Sequence, residues 1–213
     1  QGMIVNSAAT QRDLLWFAAD HDLPMPPSLV AWLGIDAFRK PAEHRSMTRD
    51  RPYFVIVGTI EARKNHLLLL QVWADLVARL GDRAPDLIVI GQHGWEAAEA
   101  IAILEEPGAL KPHLQLLTRC DDDSMNEWLR GARAMLMPSF VEGYGLPLVE
   151  ALRLGVPVIA SDLPVFREIA GDVPTFLDPG DRRAWGEAIA EFSAGGPDYN
   201  RQMKAVGNYQ APS

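Results

Sequence analysis

Pro138-Ser-Phe-Val-Glu142-Gly-Tyr-Gly145-Leu-Pro-Leu-Val-Glu150-Ala-Leu-Arg-Leu154 decides how the rest of the chain is read. The run before it, Ala134-Met-Leu-Met137, is wholly apolar and reads as a strand buried on both faces. Two glycines follow, and then a helix entered at Pro147. Strand, glycine turn and helix N-terminus together suit an anion. Small residues let the backbone approach a ligand, and the unpaired N–H groups and helix dipole favour negative charge. Glu142 and Glu150 bracket the glycines with seven residues between them. Two carboxylates beside an anion site should repel the anion unless they face neutral hydroxyls. A ligand carrying both phosphate and sugar hydroxyls satisfies both halves, which points to a sugar nucleotide.

The chain of 213 residues has room for one good-sized domain, or one domain plus a piece of another. No segment approaches eighteen uninterrupted apolar residues (roughly the shortest run that spans a bilayer as a helix). Gln1-Gly2-Met3 reads as the remnant of a cleavable tag followed by a start or cloning methionine. One cysteine, Cys120, excludes an internal disulfide and fits a reducing compartment. A net charge of −8 argues against a broad nucleic-acid surface.

Residues 3–38 read as one strand-helix-strand unit. Ile4-Val5 is a short strand, and Ser7 or Thr10 caps a helix running to about Ala19. Its apolar side is Leu14, Leu15, Phe17 and Ala18, and Ser28 to Leu33 forms a second strand. Such a unit cannot bury both faces alone, so it is expected to be the remnant of a larger amino-terminal domain or a flap packed on the domain after it. Residues 39–51 are polar and read as a linker.

From 52 to 213 strands alternate with helices. Strands are expected over Tyr53–Val57, Leu87–Ile90, His113–Leu117, Ala134–Met137, Val156–Ala160 and Thr175–Leu177. Helices are expected from His66 to Leu80, Trp95 to Leu104, Ser124 to Arg130, Pro147 onward, Val165 to Ile169 and Arg182 to Ser193, with Met203 and Val206 in one more. That alternation gives an α/β, Rossmann-like, doubly wound parallel sheet with its ligands beyond the carboxyl ends of the strands.

Arg63 and Lys64 stand just before a helix, where positive charge opposes the dipole unless an anion is present. They read as a pair reaching for a diphosphate. Asp121-Asp-Asp123 could hold a metal, but Ser124 and Glu127 make a capping box of the same stretch, and no metal is assigned. Gly143 and Gly145 have Leu148 where a dinucleotide fingerprint needs a third glycine. Neither a Walker sequence nor a Gly-x-Ser-x-Gly elbow occurs. The five scattered histidines suggest no zinc site.

Three stretches together resemble the retaining glycosyltransferases of the GT-B fold, the group-one family with many mannosyl and glucosyl transferases. They are Gly58-Thr-Ile-Glu-Ala-Arg-Lys-Asn-His66, the quoted 138–154 stretch, and Gly155-Val-Pro-Val-Ile-Ala-Ser-Asp-Leu-Pro-Val-Phe-Arg-Glu168. The resemblance covers roughly residues 50 to 192. It implies the carboxyl-terminal, donor-binding half of a two-domain enzyme, with the amino-terminal acceptor domain largely missing. It implies transfer of a hexose, with mannose from GDP-mannose the first guess, to a glycan or lipid-linked acceptor with retention of configuration. No metal or other cofactor is implied.

By that resemblance Glu142 would contact hydroxyls of the donor sugar, Glu150 the ribose, and Arg63 and Lys64 the diphosphate. Gly58 ends the first strand beside them. The backbone of Gly143, Tyr144, Gly145 and Leu146 would meet the phosphates, and Thr118, Arg119 and Cys120 would lie against the base. The complete enzyme is expected in the cytoplasm, with peripheral association at the inner membrane face. The isolated chain is expected to bind nucleotide without turnover. A non-catalytic GT-B nucleotide-binding module and a GT-B sugar-nucleotide epimerase are the alternative readings. The Arg-Lys pair and the spaced glutamates favour the transferase over the epimerase.

Overall fold

Along Tyr53–Val57 (β3), successive residues point to opposite faces, as a strand requires. Tyr53 and Val55 enter one core, and Phe54 and Ile56 the other. The same division holds for Asp86–Ile90 (β4) and Ala134–Met137 (β6). Strands apolar on both faces can sit only inside a sheet covered on both sides, and that is the architecture of the computed structural model, which describes residues 2–34, 47 and 49–212.

Six parallel strands make the main sheet. Leu114–Leu117 (β5) lies at one edge, then β4, β3, β6, Val158–Ser161 (β7) and Thr175–Leu177 (β8). Adjacent strands pair in register, for example Val55 with Ile88 and with Met135. The order reverses direction at β3 and β6, which makes a switch point at their carboxyl ends. One face is covered by His66–Leu80 (α2), Ala98–Glu105 (α3) and Arg182–Ser193 (α7), with Trp73, Trp185 and Phe192 fully buried. The other is covered by Asp122–Gly131 (α4), Leu146–Arg153 (α5), Pro164–Ala170 (α6) and the end of Pro197–Val206 (α8). Buried Gln202 fixes α8. Its amide accepts from the Val158 N–H and donates to the Val158 carbonyl, both at 2.9 Å.

The amino-terminal unit consists of Met3–Val5 (β1), Ala8–Asp20 (α1) and Ser28–Val30 (β2), with β1 and β2 paired in parallel as a separate two-stranded sheet. Here the sequence expectation needs correction. Leu15 and Phe17 do not form a buried side. They are exposed with Trp16, and α1 buries only Ala9 and Ala18. Helical periodicity locates an apolar stripe but not its partner. Of the linker expected over 39–51, positions 39–46 and 48 lie outside the described residues. At its end, Arg49 and Arg51 grip the buried Asp86 at 2.7 and 2.9 Å.

Other boundaries shift by a few residues. The third helix begins at Ala98 rather than Trp95, which is exposed. The strand expected from Val156 begins at Val158, and the one expected to reach Leu33 stops at Val30. α4 is capped by Asp121, whose carboxylate accepts from the Ser124 N–H at 2.8 Å, so Ser124 is inside the helix and not its cap. Of the six tryptophans, Trp73, Trp128 and Trp185 are buried, whereas Trp16, Trp32 and Trp95 are exposed.

Candidate active site

The loop after β3 and the loop after β6 meet at the switch point. Asn65 stitches them together. It holds a left-handed conformation (φ 56°) that asparagine tolerates better than most residues. Its amide donates to the Pro138 carbonyl at 3.1 Å and the Pro179 carbonyl at 3.0 Å. Phe140 N–H donates to the Arg63 carbonyl at 2.8 Å. Beneath them, Gly58 (φ 139°) leaves space that Lys64 fills. Gly91 is required by contact alone, because a Cβ there would stand 2.0 Å from the Gly58 carbonyl oxygen.

These contacts gather Arg63, Lys64 and Glu142 into one cluster. Lys64 Nζ lies 2.5 Å from Glu142 Oε1, and Arg63 Nη1 lies 3.1 Å from Oε2. Ser139 donates to the same Oε1 at 2.9 Å. Arg63 Nε also pairs with the buried Glu61 at 2.6 Å. This revises one step in the reading of the sequence. The two cations need no external anion to be tolerated, because Glu142 and Glu61 already compensate them. The cluster is mostly enclosed: the Glu142 side chain is 8% exposed and that of Lys64 12%. Its charges therefore interact more strongly than they would at a free surface.

Beside the cluster runs a cleft of about 470 Å³, lined by Arg63 and the stretch Val141 to Pro147, with Asn6 and Leu33 opposite. α5 begins at its floor. Gly145 precedes the helix in a left-handed conformation (φ 99°) with no side-chain cap. Among the described residues, the backbone N–H groups of Gly143, Tyr144, Gly145 and Leu146 donate to no backbone or side-chain acceptor. Free donors at a helix start suit phosphate.

A second cleft, of about 480 Å³, opens at the end of β5. It is lined by Gly91, Gln92, Thr118, Arg119, Cys120 and Asp121. Burial and the neighbouring Asp121 and Asp122 push the Cys120 thiol up. Burial, then the charge of Asp122, likewise raises the half-buried Glu150 carboxyl. Both residues thus sense the carboxylates at the start of α4. A larger hollow at the opposite, amino ends of the strands includes Arg49, Arg51, Arg130 and Arg133. Arg49 and Arg51 are already committed there to Asp86.

All the residues singled out in the sequence therefore lie at the carboxyl ends of the strands. Arg63, Lys64 and Glu142 touch directly, and the glycine turn adjoins them. Thr118 to Cys120 form a separate wall. The sequence reading assigned no role to Ser139, Glu61, Asn65 or Glu168. Glu168 closes the third quoted motif, and its position in that motif was the available signal.

A six-stranded parallel sheet with helices on both faces is the fold of one half of a GT-B glycosyltransferase. Residues 39–208 match the family described as glycosyl transferases group 1, and the chain belongs to that family. It is similar to O-antigen chain mannosyltransferase B of Escherichia coli, with 36% identity over 61% of this chain and 33% of that protein. It is also similar to O-antigen chain mannosyltransferase RfbU of Salmonella typhimurium, with 28% identity over 76% of this chain and 47% of that protein. The chain thus spans less than half the length of either relative. The fold matches that of TarM from S. aureus, solved with fondaparinux, alpha-GlcNAc-glycerol and UDP. The TM-score is 0.76 at 16% identity, over 97% of this chain and 40% of that one. No helix among the described residues is long and apolar enough to cross a membrane.

Proposed function

We propose that this chain is the donor-binding half of a retaining hexosyltransferase that transfers mannose from GDP-mannose to a glycan or lipid-linked acceptor. The observation that carries the reading is the convergence of Lys64, Arg63 and Glu142 beside a turn, Gly143 to Leu146, whose backbone N–H groups donate to no acceptor among the described residues. The kinship with two O-antigen mannosyltransferases supports the choice of sugar.

As the glycosidic bond breaks, negative charge grows on the leaving diphosphate. Arg63, Lys64 and the start of α5 stabilise that charge more in the transition state than in the ground state. Glu142 holds the two cations in place before the donor arrives and accepts hydroxyls of the donor sugar once it is bound. The protein's own cations then suffice for the leaving group, and the site needs no metal. Glu150 accepts the ribose hydroxyls, and Thr118 to Cys120 flank the base. Residues 3–38 belong to the acceptor half and 52–213 to the donor half. A lone cysteine suits a reducing compartment, and we place the complete enzyme in the cytoplasm, at the inner membrane face when its acceptor is lipid-linked.

The test is transfer by the complete enzyme from GDP-mannose, with the product anomer assigned by NMR. A product with the donor's configuration is expected. An inverted product, or transfer only from another nucleotide sugar, would contradict the proposal.

Glu150 gives a second test. Its raised carboxyl means that the fold disfavours the charged form. Protons bind the folded chain more tightly than the unfolded chain, so this group's contribution to stability falls as pH rises through its raised value. Glu150→Gln should therefore raise the melting temperature of the ligand-free chain at neutral pH. It should also weaken nucleoside diphosphate binding, because the amide loses one acceptor oxygen. Calorimetric melting with and without GDP checks both signs. A lower melting temperature, or an unchanged affinity, would refute the assignment.

A further inference from the structure

Glu168 in α6 is turned toward α1. Its Oε1 accepts from the Ala8 N–H at 2.7 Å and the Trp32 indole N–H at 3.0 Å, and its Oε2 accepts from the Ala9 N–H at 2.9 Å. A carboxylate at the first turn of a thirteen-residue helix complements both the free N–H groups and the dipole. Burial alone would raise this carboxyl. The bonds from Trp32, Ala8 and Ala9 and the charge of Arg12 outweigh burial and hold it below its ordinary range.

The same end of α1 reaches the glycine turn. Ser7 Oγ and Thr10 Oγ1 lie 3.0 and 3.1 Å from the Gly143 carbonyl oxygen, and Tyr144 donates from its hydroxyl to the Leu33 carbonyl at 3.4 Å. Apolar packing contributes little to this docking, since α1 buries only two alanines while Leu15, Trp16 and Phe17 face outward. Polar contacts at one helix end therefore decide where α1 sits.

That placement sets a peptide plane. In a trans peptide the N–H points opposite to the carbonyl. With the Gly143 carbonyl held toward α1, the Tyr144 N–H is directed away from it. That N–H donates to no acceptor among the described residues.

We propose that Glu168 is a positioning residue for the diphosphate. By seating α1 it fixes the Gly143 carbonyl, and so aims the Tyr144 N–H into the cleft beside Arg63. The inference rests on the reading of the glycine turn as the diphosphate site. A residue that merely capped α1 would stabilise the helix without altering the turn.

NMR of the free and GDP-bound chain, wild type and Glu168→Gln, separates the two. Gln keeps the size but removes the charge and one acceptor. The variant should shift the Gly143 carbonyl carbon and the Tyr144 nitrogen in the free protein. GDP affinity should fall about tenfold, the loss expected for one misdirected hydrogen bond to a charged group. Thr10→Val removes one donor to the Gly143 carbonyl without touching Glu168. It should shift the same two nuclei, and it serves if Glu168→Gln fails to fold. Unmoved resonances at Gly143 and Tyr144 in a folded variant, or unchanged GDP affinity, would overturn the positioning role. Moved resonances in a chain whose wild type binds neither GDP nor UDP would show instead that the donor-site reading had failed, and the positioning role with it.

Discussion

Lys64→Ala is expected to slow sugar transfer by the complete enzyme roughly a hundredfold, about 3 kcal/mol of barrier, the usual cost of losing one donor aimed at developing charge. Lys64 carries this expectation because it is enclosed and fixed. Its amine is 2.5 Å from Glu142, and its stem fills the space left by Gly58. Arg63 is more exposed and divides its guanidinium between Glu61 and Glu142. Arg63→Ala should therefore cost less, because water can replace more of its stabilising field. Glu142→Ala should act differently. It leaves Lys64 mostly enclosed without its carboxylate, and breaking an enclosed pair in this way costs up to about 3 kcal/mol of stability. The double variant Lys64→Ala with Glu142→Ala should be less destabilised than the sum of the two singles, with a coupling of roughly 1–3 kcal/mol. Steady-state kinetics of the complete enzyme and urea melts of this chain measure the two effects separately. Wild-type turnover in Lys64→Ala would remove that residue from the mechanism. Strict additivity in the melts would mean that the ion pair contributes nothing.

Phe166→Ala should destabilise the chain by about 3–5 kcal/mol, the range for truncating a buried aromatic. Phe166 is fully buried in the core between α5 and α6. It also lies directly under the glycine turn, since a Cβ on Gly145 would stand 2.6 Å from its ring. The cavity would open beneath Gly145 and let the turn sag, so GDP affinity should fall along with stability. Gly145→Ala attacks the same contact from above. It adds a methyl where the ring already stands and imposes a left-handed φ on a residue with a Cβ, at a cost of roughly 1–3 kcal/mol. Combining the two substitutions relieves the clash but not the backbone strain. The pair should therefore be no more stable than Phe166→Ala alone. Thermal melting with and without GDP tests this. A stable Phe166→Ala chain would show that the turn does not rest on that ring.

The doubly wound sheet was legible in the sequence because its strands are apolar on both faces, as Tyr53–Val57 and Ala134–Met137 show. A run of that kind has few folded alternatives. The expected location of the candidate site came from the same pattern, since ligands of such sheets gather beyond the carboxyl ends of the strands. Pairing across distance was not legible. Nothing in the sequence ties Asn65 to Pro179, or Glu168 to Ala8, because those bonds join residues more than a hundred positions apart. The direction of α1 was illegible for the same reason. Leu14, Leu15, Phe17 and Ala18 mark an apolar side, but periodicity does not say what covers it, and Leu15 and Phe17 are exposed. A local dipole argument leaves the cations waiting for an anion, because it sees only the residues next in sequence. Their compensating carboxylate, Glu142, arrives from another loop.

The most direct test of a nucleotide-sugar site is titration calorimetry of GDP, UDP and ADP into this chain and its Lys64→Ala variant. One nucleoside diphosphate, GDP by the present reading, should bind the wild-type chain tightest, and the variant should bind it at least tenfold more weakly. Equal affinity in the variant, or no binding of any of the three, would contradict the account.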